Sequence, residues 1–209
     1  MDRYLKFAFN SVRSFNSVCF MTYITRNDTN WVVRLNNVDL DKVSKTVEEI
    51  KADPKKAIRT VQIEGYWMTE GRSCGPVEYQ FVATCKTEKG TFNVEVDSPG
   101  FMGGGGNRPG PMHYCLVGMA SCFLATLVGV ASEKGIRLNR VDVKASCELD
   151  FRKPLGLGDH PIVRSVRFDL QIEADVDRGE LIRLVEEAKE RCPAIYSLRT
   201  PIEPVLNLL

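Results

Sequence analysis

Two different hydrophobic periods run along this chain of 209 residues. Between residues 40 and 50 an apolar residue recurs at every third or fourth position, directly after Asp39. This spacing predicts an amphipathic helix with Asp39 as its N-cap and an end near Pro54. Residues 141–151 and 166–174 instead alternate between apolar and polar side chains. Such alternation predicts strands with one buried and one solvated face, as in antiparallel sheets.

Shorter patterns predict the other elements. Strands are predicted at residues 31–36, 59–68, 77–86 and 91–96, and a turn at 87–90 joins the last two into a hairpin. Asp177 and Glu180 form a capping box before a predicted helix at 178–192, and Pro193 begins another short turn or helix. The tail at 201–209 could add a last strand.

Residues 115–132 form an uncharged and strongly apolar stretch. Pro111 suits the first turn of a helix here, and Gly135 suits the position just after its end. The stretch is just long enough to span a membrane. Its glycine, serine, threonine and cysteine residues, and flanks without an aromatic belt, favour a buried core helix. We therefore expect no membrane association, and a membrane-associated or purely structural oligomer is the alternative.

The order of the elements is helix, strands, apolar helix, strands, helix, which predicts an α+β fold. We expect an antiparallel sheet of about five strands to curl around the central helix and cover one side of it. The other side needs a partner, so a homodimer is expected. Residues 1–58 are assigned to an N-terminal extension with one amphipathic helix, and residues 59–209 to the main domain.

Charge and composition argue against several classes of function. The net charge is +1 and like charges form no block, so neither nucleic acid nor an anionic membrane is an expected partner. The seven cysteines and two histidines have no metal-binding spacing, and neither a metal nor a cofactor is expected. The first residues lack the pattern of a secretory signal, so reduced thiols in the cytoplasm are expected.

Cys122 lies at the centre of the apolar stretch, and two interpretations of it are open. A free cysteine in a core is most often a packing residue, whereas a reactive thiolate there needs a nearby cation. Cys115 lies about 10 Å away along the same helical face, too far for a disulfide. Cys192 lies between Arg191 and Pro193, where a helix start and a positive charge would favour a thiolate. An unreactive helix cap is the alternative for Cys192.

Two further features precede the apolar helix. His113 could act as a general base, but nine residues place it nearly opposite Cys122 on one helix. It could therefore reach Cys122 only through a kink or from a partner chain, and a polar residue at a helix start is the alternative. The glycine-rich segment 103–111 could bind an anion through its N–H groups, but it lacks the Lys-Ser/Thr of a P-loop, which favours a mobile loop.

These motifs together resemble the OsmC/Ohr superfamily. The resemblance rests on RPGPMHYCLVGMASCFLATLVGVASEKGI at 108–136, the two long strands that follow it, and ERCPAIYSL at 190–198. It covers about residues 60–209, and residues 38–71 resemble the leader of a larger OsmC-like subgroup. A cysteine-centred helix joined to a second Cys-Pro motif about 70 residues later makes the match fairly specific.

The resemblance implies a fold and a chemistry. The fold is an intertwined homodimer in which antiparallel sheets wrap two central helices. In the chemistry, Cys122 would attack an organic hydroperoxide and become a sulfenic acid, and Cys192 would resolve it as an intrachain disulfide. A dithiol such as a lipoyl protein would then reduce the disulfide. The expected activity is therefore that of a thiol-dependent organic hydroperoxide reductase.

This chain departs from the family at the start of the helix. Peroxidase members carry a Glu there, which anchors an Arg that activates the thiolate, whereas this chain has Met112 and His113. Arg72 is the nearest guanidinium outside the predicted hairpin turn. The candidate site residues are Cys122, Cys192, His113 and Arg72. The alternative function is a non-catalytic dimer that binds an apolar small molecule or senses redox state.

Overall fold

The computed structural model describes residues 23–26, 31–72 and 77–208. Its first unit is a small antiparallel sheet followed by a helix. The elements are β1 (Tyr23–Arg26), β2 (Trp31–Leu35), β3 (Val38–Asp39), α1 (Leu40–Ala52) and a 3-10 turn at Pro54–Ala57. The Asp39 side chain accepts from the Lys42 N–H at 3.1 Å, which confirms the predicted N-cap. This sheet adds to the single helix predicted for residues 1–58, of which residues 1–22 and 27–30 lie outside the described part.

The second unit is a three-stranded antiparallel sheet. Its strands are β4 (Ile63–Trp67), β5 (Phe81–Thr87) and β6 (Gly90–Val96), in the order β4-β5-β6, with 3-10 turns at Glu70–Arg72 and Gly100–Met102. The predicted hairpin is confirmed, because β5 and β6 pair from Phe81 opposite Val96 to Thr87 opposite Gly90.

The third unit contains the long helix and the second sheet. Its elements are α2 (Pro111–Glu133), β7 (Leu138–Leu149), β8 (Val163–Ala174), α3 (Arg178–Arg191) and α4 (Pro193–Arg199). Strands β7 and β8 form a two-stranded antiparallel ribbon. The core lies where α2, α3, α4 and this ribbon meet, around Phe123, Leu127, Val130, Leu184 and Ala188.

The α+β class and the antiparallel pairing are confirmed, and within the described residues of one chain the strands before and after α2 form two separate sheets rather than one sheet of about five strands. Three strands lie before α2 and two after it, and the two groups do not pair. The helix that connects them is about 35 Å long, so it carries the chain away from the edge of β6 before β7 begins. The ribbon, α3 and α4 therefore cover α2 on one side.

The apolar helix has the length and composition of a membrane-crossing segment, and a third of its most apolar stretch is buried within the chain. Its C-terminal end is closed by two hydrogen bonds, from Gly135 N–H to Ser132 C=O and from Ile136 N–H to Ala131 C=O. Gly135 has a positive φ of 70°, so it occupies the predicted position after the helix, where glycine avoids backbone strain.

The tail forms no strand between residues 201 and 208, so the suggested last strand is wrong there. Pro201 and Pro204 lack the N–H that a sheet ladder requires. The apolar side chains of the tail are strongly exposed, from 71% for Ile202 to 104% for Leu208. No part of the described chain covers them.

Asn36 joins the N-terminal sheet to the end of α2. Asn36 and Asn37 both have positive φ and form the two-residue turn between β2 and β3. The Asn36 side-chain amide donates to Ser132 Oγ at 3.1 Å and to Ile136 C=O at 2.8 Å, and its oxygen accepts from the Leu138 N–H at 2.8 Å. One side chain thus binds the Ser132 hydroxyl at the end of α2 and two backbone groups of the segment that follows the turn.

We expect the substitution Asn36→Gly to lower the free energy of unfolding by about 2–3 kcal/mol, because it removes these hydrogen bonds without straining the backbone. Asn36→Ala should cost about 1 kcal/mol more, because alanine does not favour a positive φ. Urea denaturation measures both values. Asn37→Gly is the matched control, since Asn37 is exposed, and it should change the stability by less than about 0.5 kcal/mol. Equal stabilities of the Asn36 and Asn37 variants would contradict the role of Asn36.

Candidate active site

Cys122 and Cys192 lie together in the folded chain. Cys122 is in the middle of α2, and Cys192 is the residue between α3 and α4, as N-cap of α4. The Cys192 Sγ lies 3.9 Å from the Cys122 Sγ. A disulfide needs about 2.05 Å between the sulfurs. The two thiols therefore lie within a small side-chain movement of bond formation.

The two sulfurs differ in their access to solvent. Cys192 is completely buried, with 0% of its surface exposed, and belongs to the core cluster with Leu184 and Ala188. Cys122 lies at the margin of the same cluster and is partly exposed. A molecule that arrives from solvent therefore meets the Cys122 sulfur first.

The ionisation of Cys122 is governed by burial. Removal of the thiol from water raises the pKa of Cys122, because burial disfavours the charged thiolate. The backbone N–H of Ala194 donates a hydrogen bond to the Cys122 sulfur and lowers the pKa in part, whereas the Cys192 thiol raises it further. In the described part of the chain, no cation is among the groups that shift this pKa.

Arg191 precedes Cys192, but its guanidinium is engaged elsewhere. Its Nη1 lies 2.8 Å from a Glu133 carboxylate oxygen and 3.1 Å from a Glu187 oxygen. Lys134 also pairs with Glu187, at 2.9 Å. These ion pairs join the end of α3 to the end of α2. The positive charge expected beside Cys192 is therefore paired with the carboxylates of Glu133 and Glu187.

His113 lies at the first turn of α2 and takes part in its capping. The Gly110 N–H donates to His113 Nδ1 at 3.2 Å, and the His113 N–H donates to Gly110 C=O at 3.0 Å. Nine residues separate His113 from Cys122, about 13.5 Å along the helix and on nearly opposite sides of it. Within one chain the structure therefore does not bring His113 to the thiol pair.

Arg72 lies at the end of the 3-10 turn that follows β4. Its guanidinium carbon lies 4.5 Å from the centre of the Tyr66 ring, a cation–π contact. Both residues are exposed. Arg72 thus belongs to the β4-β5-β6 unit, and its described contact is with an aromatic ring rather than with either thiol.

An apolar cavity of about 310 Å³ lies where this sheet meets the first turn of α2. It is lined by Trp67, Gln80, Phe81, Val96, Ser98, Pro111 and Tyr114. The Tyr114 hydroxyl donates to Glu95 C=O at 2.7 Å and attaches the helix to β6.

Within the described ranges, no group of three His, Cys, Asp or Glu side chains could hold a metal ion.

Sequence reasoning missed the ion pairs that hold the glycine-rich loop. Arg108 Nε lies 2.7 Å from Glu95, and Arg108 Nη2 lies 2.6 Å from Glu78. The side chain of Asp97 is buried and accepts from the Asn107 N–H at 2.9 Å. Lone charged residues in a glycine-rich segment carry no pairing signal in the sequence, because their partners lie on β6 and before β5.

Sequence reasoning also missed the Ala194 N–H that contacts Cys122. A signal for it exists, since Pro193 has no N–H and Ala194 is therefore the first donor of α4. The sequence could thus indicate a donor at the start of α4. It could not indicate that the acceptor is Cys122, which lies 72 residues earlier in the chain.

Comparison with known proteins identifies relatives of this chain. The family model of OsmC-like protein matches residues 104–207. An organic hydroperoxide resistance protein of Xanthomonas axonopodis pv. citri is 25% identical over 159 residues, which cover 75% of this chain and 99% of the relative. A protein of the same name from Xanthomonas campestris pv. phaseoli matches equally.

The fold of this chain resembles those of several solved structures. An OsmC-like protein of unknown function from Vibrio cholerae has a TM-score of 0.50 and 14% identity, and the match covers 68% of this chain and 96% of that protein. An OsmC-like protein from Mycoplasma pneumoniae has a TM-score of 0.49 and 19% identity, over 68% and 89% of the two chains. At these identities the likeness to the Vibrio protein speaks for the fold alone.

We expect the alkylation rate of Cys122 to rise with pH through an inflection more alkaline than that of free cysteine. The thiolate is the reactive form, and a raised pKa means that less thiolate is present at neutral pH. Timed iodoacetamide labelling of the wild-type protein, read by peptide mass spectrometry, measures the profile, with free cysteine in the same buffers as control. An inflection at or below that of free cysteine would contradict burial as the dominant influence on the ionisation of Cys122.

Proposed function

We propose that this chain, which belongs to the OsmC/Ohr superfamily by the family match over residues 104–207, reduces organic hydroperoxides through Cys122 and Cys192. The observation that carries the proposal is the 3.9 Å separation of the two sulfurs. Relatives that are 25% identical bear the name organic hydroperoxide resistance protein, which supports the same class of substrate. The reductant we propose is a dithiol, of the lipoyl type.

The oxidation takes two steps. The Cys122 thiolate attacks the terminal oxygen of the hydroperoxide, the O–O bond breaks, and the organic oxygen leaves and takes a proton to become the alcohol. Cys122 is then a sulfenic acid. The Cys192 thiolate attacks the Cys122 sulfur, an S–S bond forms, and the hydroxyl leaves as water after protonation. The exposure of the two sulfurs supports this division of roles, because Cys122 is the one that faces solvent.

The surroundings of Cys122 support an organic substrate. Cys122 packs against an apolar core that includes Phe123 and Leu127, and the partly buried Ile195 packs against the same core. Apolar surface favours the organic part of a hydroperoxide over water by about 25 cal/mol for each Å² buried. A substrate with a hydrocarbon chain or ring therefore gains binding energy here that hydrogen peroxide does not.

We also propose that the protein works as a homodimer, because two apolar surfaces of the chain lack cover. On α2, Val117 is 61% exposed. On the β4-β5-β6 sheet, Ile63, Cys85 and Phe92 form one cross-strand row, and Ile63 and Phe92 are more than half exposed. Exposed apolar patches of this kind mark interaction sites. A second copy would cover the helix of one chain with elements of the other and could bring His113 or Arg72 to its partner's thiols.

A second candidate function is favoured by the ionisation of the thiol. Burial raises the pKa of Cys122, and His113 caps the helix where peroxidase members carry a carboxylate. A dimer that binds an apolar ligand in the 310 Å³ cavity, or that senses redox state without turnover, fits these two observations. The five described free cysteines fit a reducing compartment, and we propose the cytoplasm for either function.

We expect one equivalent of cumene hydroperoxide to convert the protein to an intrachain Cys122–Cys192 disulfide, detected by peptide mass spectrometry. Cys122→Ser should abolish the oxidation. Cys192→Ser should leave the first step intact and allow Cys122 to proceed to the sulfinic acid, because the resolving thiol is lost. Cys147→Ser on β7 is the matched control and should behave as the wild type. Both thiols free after the pulse would reject the peroxidase and favour the non-catalytic function.

We expect Val117→Glu to convert the dimer to a monomer, because a carboxylate in an apolar interface must be desolvated without a partner. Light scattering after size-exclusion chromatography measures the mass. Leu155→Glu is the matched control, since Leu155 is 52% exposed in the loop between β7 and β8, and it should leave the dimer intact. A wild-type protein that is monomeric, or that requires detergent to stay in solution, would overturn the dimer.

A further inference from the structure

The two sulfurs of the pair differ in a way that also bears on the reduction of their disulfide. Cys192 has no exposed surface even in the single chain, and Leu184 and Ala188 of the same core cluster are equally enclosed. Association with a second chain can only bury more surface. Cys122 is partly exposed on α2. In the single chain an external thiol can therefore approach Cys122 and not Cys192.

We infer that the reductant attacks the sulfur of Cys122, so that the mixed disulfide forms on Cys122 and Cys192 is the leaving thiol. This inference rests on the proposed function, since it requires the Cys122–Cys192 disulfide. Cys122 then reacts with two molecules from solvent, first the hydroperoxide and then the reductant. Cys192 reacts only with Cys122.

The exchange chemistry makes access decisive. A thiolate attacks a disulfide sulfur from the side opposite the bond that breaks, so the rate depends on which sulfur is open. Attack on Cys192 from the side opposite Cys122 would have to pass through the core formed with α3. In the single chain, attack on Cys122 starts from solvent, next to the exposed small residues Gly118, Ser121 and Ala125 of α2.

The electrons and atoms balance over two exchanges. The first thiolate of the dithiol forms a bond to the Cys122 sulfur, the Cys122–Cys192 bond breaks, and its electron pair stays on Cys192, which takes up a proton. The second thiolate of the dithiol then attacks its own first sulfur and releases Cys122 as a thiolate. The dithiol leaves as a disulfide, and both protein thiols are regenerated.

The test traps the mixed disulfide. The full chain is oxidised with one equivalent of cumene hydroperoxide, and the intrachain disulfide is verified by peptide mass spectrometry. 2-Mercaptoethanol is added, and N-ethylmaleimide stops the exchange at short times. We expect at least about tenfold more mercaptoethanol on Cys122 than on Cys192. Equal labelling, or a majority on Cys192, would overturn the inference. A protein with no disulfide before the thiol is added would instead reject the proposed function.

A second measurement tests access without the disulfide. Cys192→Ser and Cys122→Ser variants, both carrying Cys115→Ser, each retain one thiol of the pair. Each is treated with 5,5′-dithiobis(2-nitrobenzoate) at alkaline pH, and the modified peptide is quantified. Cys122 should react at least about tenfold faster than Cys192. Similar rates in variants with wild-type circular dichroism would show that the core opens readily around Cys192 and would overturn the inference.

Discussion

The packing of α3 and α4 against α2 is the constraint on which the site depends. Leu184 and Ala188 of α3 lie in one buried cluster with Phe123 and Leu127 of α2. This contact places the end of α3 beside the middle of α2, so the residue that follows α3, Cys192, can only point into the same cluster. The two thiols meet because helices pack, and the only other described polar contact of the pair is the hydrogen bond from the Ala194 N–H to the Cys122 sulfur.

Charge plays a separate part in this arrangement. The ion pairs of Arg191 with Glu133 and Glu187 lie at the end of α2, away from the sulfurs. Exposed pairs of this kind contribute little stability each, and their value lies in joining the ends of two helices. The described chain thus supplies proximity and burial for the thiols, and none of its described cations is among the groups that shift the pKa of Cys122.

The apolar surface left open on α2 is the observation that supports the proposed homodimer. The ribbon, α3 and α4 cover one side of α2, and the β4-β5-β6 sheet touches the helix at its first turn through Tyr114. The first turn of α2 carries His113, at the position where the resemblance to peroxidase members leads one to expect a Glu. The proposed second copy would therefore bear both on the cover of α2 and on the ionisation of Cys122.

Local rules were sufficient for much of the fold. The caps at Asp39 and Gly135 and the two alternating strands were predicted from the sequence, because each depends on a few neighbouring residues. The strand at the tail was predicted wrongly, and the separation of the strands into two sheets within one chain was not predicted, since pairing depends on which edges meet in space. The resemblance to the OsmC/Ohr superfamily indicated Cys122 and Cys192 as a pair. No local sequence pattern predicts that two residues 70 positions apart lie in contact.

The sequence by itself determined the long helices, the hairpin and the two long strands, the caps at Asp39 and Gly135, and the two cysteine motifs. Only the tertiary structure decided that the sulfurs lie 3.9 Å apart, that Cys192 is the enclosed one, and that Arg191 is paired with carboxylates instead of with a thiol. The physical reason is the range of the interactions. Helix periods and caps act over a few residues, whereas burial and pKa depend on every element that packs around a group, whatever its distance along the chain.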